Sequence, residues 1–168
     1  DFNILNINHT SLYYTKNGSL SLNLGLVDKG FGANSFYTPK YPDQYEHIRT
    51  YFSSVSFITG KKIKLNSNAY WRRNLDRFEL FREDKNWYVK QGDLYVNQTD
   101  TAGFPTPNGL YPYKGHNYHR TDIIGADAAV RFNTIMGRTS IAMGLKSEQI
   151  VSNVLGEPMG DTIFIEGT

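Results

Sequence analysis

The sequence predicts an all-β fold, an antiparallel up-and-down meander of about six long strands arranged as three hairpins. Three observations carry that prediction. Apolar and polar residues alternate with period two over several stretches, the pattern of a strand with two unlike faces. Aromatic residues make up 14% of the chain and 15 Gly stand beside 15 Asn, a mixture that favours strands and turns over long helices. Short turns also alternate with long connections, which gathers the long loops at one end of a meander.

Residues 1–15 read as the first strand, closed by Lys16-Asn17-Gly18, a two-residue hairpin signal. In the second, Leu20, Leu22, Leu24 and Leu26 alternate with Ser21, Asn23 and Gly25. A Gly, Pro and Tyr loop is expected over residues 28–43, then a third strand over 44–59 with a turn at Gly60-Lys61. The fourth sets Ile63, Leu65, Ala69 and Trp71 against Lys62, Lys64, Asn66 and Asn68, and is expected to run as far as Arg82. Residues 83–116 then read as a long loop without period, containing Pro105, Pro107 and Pro112. It should be among the least ordered parts of the chain unless its aromatics cluster.

The fifth strand, residues 116–135, sets Ile124, Ala126, Ala128, Val130 and Phe132 against Asp127, Arg131 and Asn133. After a turn at Met136-Gly137-Arg138, the sixth opposes Ile141, Met143 and Leu145 to Ser140, Lys146 and Glu148. One turn of helix is expected within residues 147–155, and a loop from Leu155-Gly156 onward.

At 168 residues the chain is a single unit, 1–168. Its 18 Lys+Arg against 16 Asp+Glu give a net charge of +2, too balanced for a dedicated nucleic-acid binder. Cysteine is absent, which removes disulfides and Cys-based zinc sites. No apolar run reaches the ~18 residues of a membrane-spanning helix. A start at Asp1, with no leader pattern, leads us to expect an excised fragment of a longer protein.

The apolar face is either the core of a soluble sandwich or the lipid-facing side of a membrane barrel with a polar lumen. Strands of about 15–20 residues exceed the usual globular range of about 3–10 and favour the barrel. Nine side chains are expected to share that face: Ile63, Leu65, Trp71, Ile124, Val130, Phe132, Ile141, Met143 and Leu145. An open sheet would leave them in water with two free edges. The chain is therefore expected to curl so that apolar faces meet, or to add strands from a second copy as a homo-oligomer.

Chemistry-bearing clusters are few. His116 and His119, near Asp122, have a spacing that sends i and i+3 to opposite faces of a strand, so they read as structural. The same parity separates Asp76 from Glu79 within a charged run expected to form cross-strand ion pairs. No nucleophile-elbow, phosphate-loop or zinc-protease pattern occurs, and no catalytic residue, metal site or cofactor is expected. Asn8, Asn17 and Asn97 match the N-x-[ST] pattern, which is common by chance. The candidate ligand-binding residues are the loop aromatics Trp87, Tyr88, Tyr95, Tyr111 and Tyr113. Exposed, they offer stiff stacking area; packed on one another, they would instead hold the loop together.

Three segments carry a family resemblance: AYWRRNLDRFELFRE at 69–83, HNYHRTDIIGADAAVRF at 116–132 and GRTSIAMGLKSEQIVSNVLGEP at 137–158. Together they resemble the barrel of TonB-dependent outer-membrane receptors, of the cobalamin- and iron-chelate-receptor type. The resemblance implies a barrel of about 22 strands closed by a plug domain, driven by an inner-membrane energy-coupling complex. It implies a place in the outer membrane, lipid as a partner, and active uptake of a metal chelate, cobalamin or glycan. Only about six strands are present, so plug-borne ligand contacts cannot be transferred. The long loops would be extracellular and the tight turns periplasmic. Rival readings are a soluble β-sandwich that binds carbohydrate through the aromatic loop, and a segment of a passive porin-like barrel.

Overall fold

A computed structural model describes residues 1–33, 35 and 38–153. Six long strands form one antiparallel sheet: β1 (Phe2–Thr15), β2 (Gly18–Gly32), β3 (Tyr45–Thr59), β4 (Lys64–Glu79), β9 (Asn117–Thr134) and β10 (Gly137–Ser152). Their order is β1-β2-β3-β4-β9-β10, so every strand pairs with its neighbour in the chain and the meander is up-and-down. Between β4 and β9 lie two small hairpins, β5 (Val89–Gln91) with β6 (Leu94–Val96) and β7 (Gly103–Thr106) with β8 (Gly109–Pro112).

The connections segregate as the alternation of turns and loops requires. Tight turns join β1 to β2, β3 to β4 and β9 to β10 at one rim, where Gly60 N–H donates to the Asn17 carbonyl at 3.1 Å and Thr59 Oγ1 donates to the same oxygen at 2.9 Å. Both long connections lie at the other rim. β2 persists to Gly32 because residues 28–32 pair with residues 45–49 of β3, so that connection begins at Ala33 rather than Asp28. β4 stops at Glu79, short of Arg82, because Leu80 and Phe81 turn away into a buried cluster at 0% and 1% exposure. The helical turn expected within residues 147–155 is replaced by β10 through Ser152, paired residue by residue with β9. The loop expected from Leu155-Gly156 lies outside the described residues.

Register sorts the side chains onto two faces. The rows Leu22–Val55–Ala69–Ala126–Leu145 and Leu20–Phe57–Ser67–Ala128–Met143 run straight across one face from β2 to β10. Nearer the long loops, this apolar band gives way to ion pairs. Asp28 meets His47 and Arg49, each at 2.6 Å, and Asp122 meets Arg73 at 2.6 Å and Arg120 at 2.9 Å.

The opposite face carries a ladder of short polar side chains. Thr10 Oγ1 donates to Asn23 at 3.0 Å, Ser56 Oγ to Asn68 at 2.9 Å, and Asn68 to Asp127 at 3.2 Å. Gly25 and Gly125 are glycines there because Phe52 and Tyr70, their cross-strand partners, lay rings where a Cβ would stand.

The sheet does not curl onto itself, and the expected meeting of apolar faces is corrected. Ile124, Ile141, Met143 and Leu145 are 60–77% exposed, Ile63 falls in the turn before β4, and Leu65, Trp71, Val130 and Phe132 are half-buried. The buried core lies instead at the loop rim.

Candidate functional site

The two long connections close into one cap. Leu80 and Phe81, leaving β4, are surrounded by Tyr41, Tyr88, Tyr95, Ala102 and Tyr113, all buried, with Phe78 packed against the group. Phe81 sits at the centre, 4.9 Å from the Tyr88 ring and 5.3 Å from those of Tyr95 and Tyr113, in the tilted and edge-on geometries that aromatic rings prefer. Tyr41, from the first long connection, joins the second by donating its hydroxyl to the Gly103 carbonyl at 3.0 Å and accepting from Gly103 N–H at 2.8 Å. Arg82 adds a fork onto Asp43, with Nη2 to Oδ1 at 2.7 Å.

The aromatics of residues 83–116 thus cluster, which is the condition under which this loop is expected to be ordered, and it holds two short hairpins. Hairpin β5–β6 tucks in through Tyr88 and Tyr95. Hairpin β7–β8 is tied down by backbone bonds from Ala102 to Tyr95 and from Tyr113 to Ala102, both 2.8 Å.

The five candidate aromatics divide. Tyr88, Tyr95 and Tyr113 are 8%, 3% and 5% exposed, so their ring faces are taken up by each other and by Phe81. Trp87 and Tyr111 are 46% and 60% exposed and belong to different hairpin regions. Trp87 lies in the bend before β5, one residue ahead of an anchored tyrosine, and is left outside the cluster, while Tyr111 pairs across β7–β8 with Phe104, itself 42% exposed.

Beside the cap, on the face that also carries the apolar band, a polar cleft of about 710 Å³ opens between Arg77, Glu79, Glu83, Lys90, Tyr95 and His116. Tyr95 donates its hydroxyl to Glu83, and Tyr113 Oη lies 2.7 Å from His116 Nδ1. His116 Nε2 approaches Glu83 at 3.4 Å, and Arg77 pairs with Glu79 at 2.8 Å.

Burial governs the protonation chemistry here. It pushes the Tyr95 and Tyr113 phenols up, helped in Tyr95 by the neighbouring Glu83 carboxylate. It lowers His116, against the pull of Glu83 and with help from the positive charges of Arg77 and Lys90. His116 lies between Tyr113 and Glu83. These contacts anchor the second long connection to the end of β4 and the start of β9.

The other sequence candidates are kept apart. His119 pairs with Asp76 on the polar face, whereas Asp122 pairs with Arg73 on the apolar-band face, and His116 precedes the strand. Asp76 and Glu79 likewise occupy opposite faces, opposite Ile48 and Tyr45 respectively. The polar cleft escaped sequence reasoning; cross-strand ion pairs were expected of the run at 72–79, and Arg73 with Asp122 is one, but not the partners that complete the belt. Both are assembled across strands, and only the register shows which charges meet. Comparison of the chain with protein-family models, with curated proteins and with solved structures finds no match.

Proposed function

We propose that the chain is part of the wall of a TonB-dependent receptor barrel in the outer membrane, serving nutrient uptake and performing no catalysis itself. The observation that carries the reading is the banded outer face. An exposed apolar strip crosses β2, β3, β4, β9 and β10, and stops at a belt of ion pairs on the long-loop side. In β9 the strip runs from Ile124 to Phe132, about 26 Å of strand, or about 20 Å along the normal at a tilt of about 40°. That is close to the ~25 Å apolar girdle of such barrels. Ile124, Ile141, Met143 and Leu145, the most exposed of these side chains, each forgo a large part of the about 1.5–3 kcal/mol that full burial is worth, and lipid supplies the missing cover.

The edges support the same reading. Strands that end a sheet in water are guarded by Lys, Pro or a bulge. β1 has none of these over Phe2–Thr15 and pairs with β2 without interruption, which suits an interior barrel strand awaiting its neighbour. The polar ladder of the other face suits a lumen.

The absence of cysteine makes the test direct. Single cysteines at Ile124, Met143 and Leu145, and at Asn68, Asp127 and Lys146, are spin-labelled in outer-membrane vesicles. The first three should collide preferentially with dissolved oxygen and the second three with a water-soluble nickel chelate. Equal nickel accessibility on both faces would show that this sheet does not face lipid.

A further inference from the structure

We infer that the outer face of the β5–β6 hairpin is a binding site for a neutral saccharide, with Trp87 as its stacking platform. A pocket of about 620 Å³ is built there by Asn86, Trp87, Val89, Gln91, Val96, Asn97 and Gln98. That volume lies within the ordinary range of small-ligand sites, about 300–1,000 Å³.

The platform is rigid for a structural reason. Tyr88, next to Trp87, is buried against Phe81 and Tyr41, and Tyr95 is buried next to Val96. The hairpin is therefore held by its inner residues while its outer ones stay free. Strand alternation puts Val89 and Gln91 on the outward side of β5, with Val96 directly across from Val89, and Trp87, in the bend just before the strand, lines the same pocket. Trp87 and Val89 remain 46% and 54% exposed although they adjoin a buried core.

The chemistry of the lining selects the ligand class. No Lys, Arg, Asp or Glu lines the pocket, so neither an anion nor a cation finds a counter-charge. Four side-chain amides do, and each amide both donates and accepts, which matches a hydroxyl that does the same. Asn97 Oδ1 accepts from the backbone of Thr99 at 2.9 Å and of Asp100 at 2.7 Å, which fixes that loop and leaves the amide nitrogen to donate elsewhere. An indole face beside a small apolar floor suits the C–H face of a pyranose ring, with the amides meeting its rim of hydroxyls.

This inference concerns the loop cap alone and stands independently of whether the strands face lipid. Its failure would leave the spin-label contrast between the two faces intact.

The test titrates the chain with cellohexaose, xylohexaose, mannohexaose and maltohexaose, and with hexagalacturonate as a charged control, by calorimetry. Trp87 emission is followed in a Trp71→Phe background, where it is the sole tryptophan. At least one neutral hexasaccharide should bind with a dissociation constant of about 1 mM or tighter and shift that emission. Trp87→Ala should weaken binding about tenfold or more, and Trp87→Phe should recover part of the loss. Amide exchange at Ala102 verifies that the cap stays folded in both variants. Three results would each overturn the assignment: no binding by any neutral hexasaccharide, full binding by Trp87→Ala, or preference for hexagalacturonate.

Discussion

Phe81→Ala tests whether the cap is a cooperative unit distinct from the sheet. Phe81 is 1% exposed and its ring touches those of Tyr41, Tyr88, Tyr95 and Tyr113, at centroid distances from 4.9 to 6.1 Å. Truncating a phenylalanine in such a site costs about 3–5 kcal/mol, since the cavity cannot close while four rings are held by their own hydrogen bonds. The rings come from both long connections, so the loss falls on the cap as a whole. At about 1.4 kcal/mol per factor of ten, amides that exchange only when the cap opens should speed up by about 150- to 4,000-fold. The reporters are Ala102 and Tyr113, whose N–H groups donate to Tyr95 and Ala102. Amides in the β3–β4 ladder, such as those of Val55 and Ala69, should change little. Native-state hydrogen exchange followed by mass spectrometry reads both sets. Less than about a tenfold change at Ala102, or an equal change in the ladder, would refute a separately cooperative cap.

Two further outcomes are expected. Burial holds His116 below its usual value of 6.5, so the unfolded cap binds the proton more readily than the folded one. Cap stability should be constant above about pH 7.5 and fall as pH drops through 6.5 toward the folded value; His116→Gln should flatten that slope, and a protection factor at Tyr113, the exchange rate divided into its pH-dependent unprotected rate, that does not change with pH in the native protein would contradict it. Gly125→Ala drives a methyl into the Tyr70 ring and should lower thermal stability by about 1–3 kcal/mol, a loss partly reversed by Tyr70→Ala in the same chain. Strictly additive effects in that double mutant would exclude the ring contact as the cause.

Much of the sheet was legible from the residues alone. Leu20 to Leu26, Leu65 to Trp71 and Ile141 to Leu145 alternate with polar neighbours, and period two is a local property that needs no partner to be read. Turn chemistry at Asn17-Gly18 is local in the same sense, because only a few residues adopt the dihedral angles a tight hairpin needs. Strand ends were less legible. β2 continues to Gly32 through a glycine-rich stretch of weak strand propensity because β3 supplies hydrogen-bond partners there, and β4 ends early because Leu80 and Phe81 gain more from burial than from pairing.

The candidate site divided along the same line. An aromatic-rich loop announces either a platform or a core, and composition cannot choose between them. Tyr95 faces inward on β6, Tyr88 and Tyr113 just outside β5 and β8 join it, and Trp87 stays outside, because the hairpin register and the closeness of Tyr41, far away in sequence, determine which rings meet Phe81. Sequence by itself determined the strands, their two faces and the rim that bears the loops, since these follow from neighbours in the chain. The tertiary structure alone decided which aromatics became core, which charges met across strands, and that the apolar band stays uncovered. Those outcomes depend on distances between residues that the chain keeps far apart.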